Sequence, residues 1–163
     1  MALEIERKFL IYKDDVLCEK ASEKWDIVQI YLTEKIEGIQ RRIRSITING
    51  ETHCAYTEKN FIKPMVREEY EREISKDEYE SLLGEADRKK TPVIKTRLVI
   101  EYNSQRFEAD IYPFSDEYCT IELEIADEST DIDMPPFVRV IKEVTGDSRY
   151  SNAELARTKC LEP

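Results

Sequence analysis

The chain has 163 residues, of which 40% are hydrophobic and 37% are charged, and its formal net charge at pH 7 is −10. This length fits one globular domain, residues 1–163, with a substantial core. The negative charge argues against nucleic-acid binding, which needs a basic surface, although divalent cations can still bridge acidic side chains to a phosphate ligand.

The cysteine and histidine content argues against a zinc site. The chain has one histidine, His53, and four scattered cysteines without a CxxC pair: Cys18, Cys54, Cys119 and Cys160. Dispersed cysteines favour reduced thiols in the cytoplasm. No apolar stretch approaches the ~20 residues of a membrane span, and no signal peptide is expected before Glu4. We therefore expect a cytoplasmic protein without a membrane partner.

Alternation of apolar and polar residues, which is typical of β-strands, recurs along most of the chain. Asn49-Gly50 and Asn103-Ser104 predict tight turns between neighbouring strands, so the sheet should be mostly antiparallel. The predicted strands are Leu3–Ile11, Trp25–Thr33, Ile39–Ile48, Thr52–Asn60, Arg67–Ile74, Val93–Tyr102, Arg106–Tyr112 and Cys119–Ala126.

Helices are predicted only in the connections between strands. Ser75 and Glu78 form a capping-box pattern that opens a helix through about Ala86. A proline at the start and a glycine just past the end predict another helix near the C-terminus. This helix would span Pro135–Val144. A short helical turn within Asp14–Lys24 and a helix over Asn152–Cys160 are also predicted.

The polar faces of nearly all these strands carry charge at positions i and i+2, whereas a solvated face usually mixes both signs with Thr, Ser and Gln. Each such face alone is more often a solvated surface. Eight strands can also close into a barrel, and inward-facing charges would then have to be paired or bound to ions. From the pattern alone both arrangements stay open. The basic members are Lys8, Arg42, Arg44, Lys59, Lys95 and Arg97, and the acidic members are Glu4, Glu6, Glu69, Glu71, Glu73, Glu108, Asp110, Glu122 and Glu124.

The stretch Glu4-Ile5-Glu6-Arg7-Lys8 resembles the ExExK signature of the triphosphate tunnel metalloenzymes, also called the CYTH family. The resemblance implies a mainly β (α+β) fold, a closed eight-stranded antiparallel β-barrel that forms a tunnel, with helices outside and a C-terminal helix near its mouth. It extends over the chain, and its end is similar to small bacterial members. The other matching segments are Arg42/Arg44, Thr57-x-Lys59, Glu69–Glu73, Lys95-Thr96-Arg97, Glu108-Ala109-Asp110, Glu122-Leu123-Glu124 and Glu143–Asn152.

The resemblance also implies roles for the charged residues. Carboxylates suit Mg²⁺ or Mn²⁺, and the expected metal ligands are Glu4, Glu6, Asp110, Glu122 and Glu124. Basic side chains would bind phosphate oxygens, and those expected are Lys8, Arg42, Arg44, Lys59, Arg97 and Arg149. The candidates for orienting or activating water are Glu69, Glu71 or Glu73, and Lys95 with Tyr31. The sequence does not choose between these candidates.

We therefore expect a hydrolase that removes the terminal phosphate of inorganic tripolyphosphate and also acts on nucleoside triphosphates. Its partner would be this small molecule alone, with the protein a monomer or a homodimer. The alternatives among enzymes are a class IV adenylate cyclase and a thiamine triphosphatase. The alternative of another class is a non-catalytic polyphosphate- or nucleotide-binding module, which the many carboxylates disfavour because a pure anion binder gains nothing from them.

Overall fold

A computed structural model describes residues 2–163, which form nine β-strands and three short α-helices. The helices are α1 (Asp15–Lys20), α2 (Lys76–Leu82) and α3 (Asn152–Thr158), with 3₁₀ turns at Leu83–Glu85 and Ser148–Tyr150. The strands are β1 (Ala2–Tyr12), β2 (Glu23–Leu32), β3 (Ile39–Ile48), β4 (Glu51–Lys63), β5 (Val66–Ile74), β6 (Val93–Tyr102), β7 (Gln105–Ile111), β8 (Tyr118–Ile125) and β9 (Val140–Glu143). Within residues 2–163, no helix has the length and apolar character needed to cross a membrane.

Eight of the strands close into an antiparallel barrel in the order β5-β4-β3-β2-β6-β7-β8-β1, with β1 pairing back onto β5. β1 meets β5 only over Ala2–Ile5, because β5 begins at Val66 opposite Ile5. Beyond that point β9 pairs with β1 instead, near Leu10. The predicted closed eight-stranded barrel is confirmed, and β9 is a ninth strand that the sequence did not predict.

The prediction of a helix over Pro135–Val144 is wrong. The two adjacent prolines, Pro135 and Pro136, lie in an irregular segment that leads into β9. Proline offers no backbone donor and biases the residue before it away from the helical region. The edge of β1 that β5 leaves uncovered supplies backbone partners, so the segment pairs as a strand.

The capping-box prediction at α2 is confirmed in one half only. The Ser75 hydroxyl accepts from the backbone N–H of Glu78 at 3.0 Å, as an N-cap should. The Glu78 carboxylate does not reach back to Ser75, since it accepts two hydrogen bonds from Arg72. Helix α2 ends at Leu82, before the predicted end near Ala86.

The apolar outer faces of the strands form two core clusters under the helices. Leu17 of α1 packs with Phe107 and Ile121 on the side of β6 to β8. Tyr79 and Leu82 of α2 pack on the side of β2 to β5. These outer clusters hold most of the buried apolar surface, which leaves the inner faces of the strands available for polar side chains.

A third apolar cluster lies inside one end of the barrel and packs against α3. Leu10 continues the inward-facing series of Glu4, Glu6 and Lys8 on β1, and it packs in this cluster with residues of β2, β6 and α3. Helix α3 therefore closes part of this end of the barrel. We call this cluster the apolar plug, and its main members are Leu10, Tyr31, Val93, Tyr112 and Leu155.

The segment that leads into α3 is held against the turn between β4 and β5. Gly146 has a φ of +71°, and a Cβ at this position would overlap the Cβ of Pro64. Only glycine satisfies both the left-handed backbone and the close approach. This contact fastens the C-terminal segment to the barrel next to the gap between β1 and β5.

We predict that Gly146→Ala destabilises the protein more than Gly50→Ala does. Gly50 has a similar φ of +80° but nothing within 4 Å of an added Cβ, so it is a matched control. Both variants lose about 1–2 kcal/mol from the left-handed backbone, and the overlap with Pro64 adds about 1–3 kcal/mol at Gly146 alone. Urea denaturation measures the free energy of unfolding of both variants. An equal decrease in the two would show that Pro64 moves aside for the added Cβ without an energetic cost.

Candidate functional site

The interior of the barrel holds a cavity of about 760 Å³. Strand alternation points charged side chains into it from seven of the eight barrel strands. Of the residues predicted for the site, those that line the cavity are Glu4, Glu6, Lys8, Tyr31, Arg42, Arg44, Lys59, Glu69, Glu71, Arg97, Glu122 and Glu124. Glu73, Lys95, Asp110 and Arg149 do not line it.

Four basic side chains on adjacent strands form what we call the basic wall: Arg42, Arg44, Lys59 and Arg67. Arg42, Arg44 and Lys59 are each at most 8% exposed. Burial and the neighbouring Arg44 lower the pKa of Arg42 to about 10, which still leaves Arg42 charged at neutral pH. The basic wall is thus a set of desolvated cations that faces the cavity.

The guanidinium groups of the basic wall are only partly paired. The Nε atoms of Arg42, Arg44 and Arg67 are buried without a hydrogen bond, and Arg42 forms no ion pair within residues 2–163. An unsatisfied buried donor costs about 1–3 kcal/mol. Arg44 does pair with Glu71 at 2.5 Å, and Arg67 reaches Glu6 at 3.3 Å. An anion with several oxygens would complete these forks.

Five carboxylates on β1, β7 and β8 form what we call the acidic wall: Glu4, Glu6, Glu108, Glu122 and Glu124. Glu6 lies directly opposite Glu124 across β1 and β8, and Glu108 lies opposite Glu122 across β7 and β8. Like charges at directly opposed positions of an antiparallel pair are destabilising. The acidic wall therefore favours a proton or a cation between its members.

The pKa shifts of these carboxylates report the same repulsion. Burial and the Glu122 carboxylate raise the pKa of Glu6 to about 7. Burial and the adjacent Glu69 raise the pKa of Glu4 to about 8, and the pKa of Glu124 is also raised, by burial and by Glu69. Glu122 differs, because burial acts to raise its pKa but Arg97 and Lys8 lower the pKa to about 2. Negative charge that the protein does not neutralise is thus concentrated at Glu4, Glu6 and Glu124.

The acidic wall has the right donor atoms for a hard divalent cation, but it is not a preformed cage. Within residues 2–163, no group of three or more His, Cys, Asp or Glu side chains is assembled closely enough to hold a metal ion. Mg²⁺ typically binds through one or two carboxylates and completes its shell with waters and phosphate oxygens. The residues therefore fit a cation that arrives together with a polyanion.

Asp110 lies below the cavity, where it is 1% exposed. It accepts from Lys95 at 2.8 Å and from Arg97 at 2.8 and 3.0 Å, so both of its oxygens are occupied. Burial acts to raise its pKa, but Arg97 and Lys95 hold the pKa of Asp110 well below its usual range. This placement does not match the predicted role of metal ligand. Asp110 instead anchors Arg97, whose Nη1 donates to Glu108 and whose Nη2 also donates to Glu122.

Lys95 and Tyr31, the predicted proton-handling pair, each have other hydrogen-bond partners in this structure. Lys95 is 3% exposed and donates to Asp110 and to Asn152. Burial lowers the pKa of Lys95 to about 7. The Tyr31 hydroxyl accepts a hydrogen bond from Gln29 at 2.9 Å. Tyr31 faces the cavity, whereas Lys95 can influence it only through an intermediate group.

The glutamates of β5 separate into two groups. Glu69 and Glu71 face the cavity and pair with the basic wall, Glu69 with Lys59 at 3.1 Å. Burial acts to raise the pKa of Glu69, but the Lys59 ammonium lowers it to about 2. The side chain of Glu73 is 76% exposed and lies 3.6 Å from His53. Glu73 is therefore outside the cavity and does not match its predicted role.

Arg149 also lies away from the cavity. Its side chain is 72% exposed and pairs with Asp147 at 2.7 Å, and its guanidinium lies over the ring of Tyr150. The backbone carbonyl of Tyr150, by contrast, accepts from Lys8 Nζ at 2.7 Å. The segment before α3 therefore contributes to the site through its backbone, and the predicted phosphate contact from Arg149 does not match the structure.

Several cavity residues were missing from the predicted site, among them Arg67, Glu108 and Asn152. Arg67 stands two residues before Glu69 on the same strand, so the alternation that predicted Glu69 could also have predicted it. Glu108 belongs to the charged set of the strands but was assigned no role. Asn152 carries no signal in the sequence, since it enters the cavity only because α3 docks against the barrel end.

Solved structures are similar in fold to most or nearly all of this chain. The inorganic triphosphatase NE1496 is 28% identical with a TM-score of 0.57, and the match covers 96% of this chain and 95% of that one. A protein of Pyrococcus horikoshii OT3, PH1819, is 23% identical with a TM-score of 0.59 over 77% of this chain and 80% of that one.

A third similar structure comes from Hippeastrum. It is a candidate adenylyl cyclase, HpAC1, for which a dominant triphosphatase activity is described. It is 17% identical with a TM-score of 0.56, over 76% of this chain and 80% of that one. No protein-family model and no curated protein sequence matches the chain significantly. The last two structures share the fold alone, and NE1496 is similar in sequence as well.

We predict opposite effects on stability from replacing two adjacent arginines of β3. Arg42→Met should raise the free energy of unfolding by about 1–3 kcal/mol, because it removes an unpartnered buried donor. Arg41→Met should lower it by a similar amount, since Arg41 donates to Tyr56, Thr33 and Glu85 on the outer face. Urea denaturation without added anions measures both variants.

In the same experiment, added tripolyphosphate should stabilise the native protein and the Arg41→Met variant, because a ligand that binds only the folded state raises its stability. It should not stabilise the Arg42→Met variant, which lacks a cation of the cavity. Loss of stability in Arg42→Met would contradict the assignment of Arg42 as an unpartnered cation.

Proposed function

We propose that this chain, a triphosphate tunnel metalloenzyme (CYTH protein) by its barrel and by its likeness to an inorganic triphosphatase, hydrolyses the terminal phosphate of inorganic tripolyphosphate and acts also on nucleoside triphosphates. The observation that carries the proposal is one cavity in which buried guanidinium groups with unsatisfied Nε donors face mutually repelling carboxylates. A triphosphate would neutralise the first set and a divalent cation the second. The proposal includes no nucleic-acid or membrane partner.

The basic wall would bind the polyphosphate. Arg42, Arg44 and Arg67 offer guanidinium forks that match phosphate oxygens, and Lys59 and Lys8 add ammonium groups. Lys8 lies opposite Glu122 on β8 and is held in place by the Tyr150 carbonyl. These contacts fix the phosphates along the cavity and draw charge away from the leaving group, which is the main task in phosphoryl transfer.

Glu6 and Glu124 would hold Mg²⁺ or Mn²⁺, with Glu4 and Glu122 beside them. A cation bound there supplies neutralisation of phosphate charge and lowers the pKa of water. Glu6 and Glu124 are assigned to the cation because they lie directly opposite each other on β1 and β8 and repel each other. Asp110 is left out because Lys95 and Arg97 already occupy its oxygens.

Glu69 or Glu71 would orient the attacking water. Both are ion-paired with the basic wall, and Lys59 holds the pKa of Glu69 at about 2 against the opposite effect of burial. When Lys59 and Arg44 turn to the substrate, these carboxylates lose their partners and face phosphate charge, which raises their proton affinity. General-base strength would then develop only in the substrate complex.

The proposed location is the cytoplasm. All four cysteines are free, and Cys54 and Cys119 are buried while Cys18 and Cys160 are exposed. Two exposed thiols without partners fit a reducing compartment.

A phosphate-release assay tests the proposed function directly. With Mg²⁺ or Mn²⁺ we expect phosphate from tripolyphosphate, and slower release from ATP and thiamine triphosphate. Chelation by EDTA should abolish the release, and added Mg²⁺ should restore it, since the acidic wall cannot assist a polyanion without a cation. Cyclic AMP from ATP without phosphate release would favour an adenylate cyclase. Tight tripolyphosphate binding without turnover would favour the non-catalytic module.

We predict that Glu6→Gln lowers the rate of phosphate release about 100-fold. The substitution removes one carboxylate of the pair with Glu124. It relieves their repulsion but also takes a carboxylate partner from Arg67, so its two effects on the free energy of unfolding oppose each other. Glu73→Gln is the matched control, because Glu73 is an exposed glutamate outside the cavity, and it should leave the rate unchanged. A Glu6→Gln variant with the native rate and metal requirement would contradict the metal assignment.

A further inference from the structure

We infer that Asn152, the first residue of α3, donates a hydrogen bond from its side-chain amide to a phosphate oxygen at the plugged end of the cavity. This inference rests on the proposed function and adds a substrate-positioning residue to it. Asn152 lines the cavity next to the apolar plug. It is neutral, so the charge pattern of the strands gives no hint of it.

The orientation of the amide is set by two buried donors. The Asn152 Oδ1 accepts from Lys95 Nζ at 3.3 Å and from the Tyr112 hydroxyl at 2.5 Å. Lys95 is 3% exposed and Tyr112 is fully buried. An ammonium group can only donate, so a flipped amide would direct N–H groups at a cation. The carbonyl of this side chain must therefore face the barrel wall.

The other end of the amide is left for a ligand. Both hydrogen bonds that the Asn152 side chain makes within residues 2–163 use Oδ1. The two N–H groups on Nδ2 are therefore turned away from Lys95 and Tyr112, and Asn152 is a residue of the cavity lining. An amide N–H can donate to a non-bridging phosphate oxygen. Such a hydrogen bond orients the phosphate without adding positive charge to the site.

The backbone of Asn152 is well anchored. Ser151 caps α3 by accepting from the N–H of Glu154 at 3.2 Å. The Tyr150 carbonyl accepts from Lys8 Nζ, and the Tyr150 hydroxyl donates to the Glu162 carbonyl at 2.6 Å. The C-terminal segment thus brings one neutral donor to the same end of the cavity as Lys8. Asn152 and Lys8 would together bind a single phosphoryl group.

This arrangement also gives Lys95 a role. Asp110 holds the Lys95 ammonium, which donates to the Asn152 carbonyl, whose amide faces the cavity. Hydrogen bonds arranged in series polarise one another, so the buried ion pair strengthens the N–H donor. Lys95 is therefore a positioning residue that acts on the substrate through Asn152.

The experiment compares Asn152→Asp with Asn152→Ala. Aspartate keeps an acceptor for Lys95 and Tyr112 but puts an anionic oxygen where the donor was, whereas alanine removes both ends. Binding of imidotriphosphate with Mg²⁺, measured by calorimetry, should weaken about 100-fold in Asn152→Asp and about 10-fold in Asn152→Ala. The unfolding midpoint without ligand should follow the reverse order, with Asn152→Ala the less stable. A purely structural role predicts that alanine is worse in both measurements.

Asn60→Asp is the matched control, because Asn60 lies on β4 outside the cavity and the substitution adds the same charge. It should bind imidotriphosphate with native affinity. Native affinity in Asn152→Asp, or a greater loss in Asn152→Ala, would overturn the role of Asn152 while leaving the proposed function intact. A native protein that does not bind imidotriphosphate would overturn the proposed function itself, and this inference with it.

Discussion

Charge inside this barrel is segregated by sign, and the rest of the structure is arranged around that constraint. Arg42 has no ion pair within residues 2–163, and Glu6 faces Glu124 directly. Groups of this kind oppose folding, so the net stability has to come from elsewhere. The outer clusters under α1 and α2 supply it. The usual arrangement of a small β-protein is thereby inverted, with apolar faces outward under helices and charged faces inward.

One fully paired unit holds the segregated walls in place. Asp110 binds both Lys95 and Arg97, and Arg97 extends to Glu108 and Glu122 of the acidic wall. Breaking a buried pair of this kind typically costs about 3–5 kcal/mol. The same unit contacts Asn152 of α3 through Lys95. The fully paired charges of Asp110 and Lys95 therefore lie outside the cavity lining, and the least satisfied charges border the cavity.

The sequence predicted the direction of side chains well and their depth in the barrel poorly. Direction follows from the two-residue period of a strand, which explains why Arg42, Arg44 and Glu122 face inward as expected, and the resemblance to the triphosphate tunnel metalloenzymes is confirmed. Depth depends on strand stagger and on what closes each end. For that reason Glu73 lies outside the cavity and Asp110 below it. Asn152 could not be predicted, because only the docking of α3 brings it to the cavity.

Segregated charge also makes the two ligands of the proposed function dependent on each other. A polyphosphate that enters alone meets the basic wall but is repelled by Glu4, Glu6 and Glu124. A cation that enters alone finds carboxylates but no closed cage. Each ligand removes the charge that opposes the other, so each must raise the affinity of the other by the same factor. Among the residues that the structure describes, Arg42 can bind a phosphate oxygen without breaking an ion pair, whereas Arg44 and Lys59 must first leave Glu71 and Glu69. Arg42 and the repelling carboxylates are thus the source of the preference for a metal-bound polyanion.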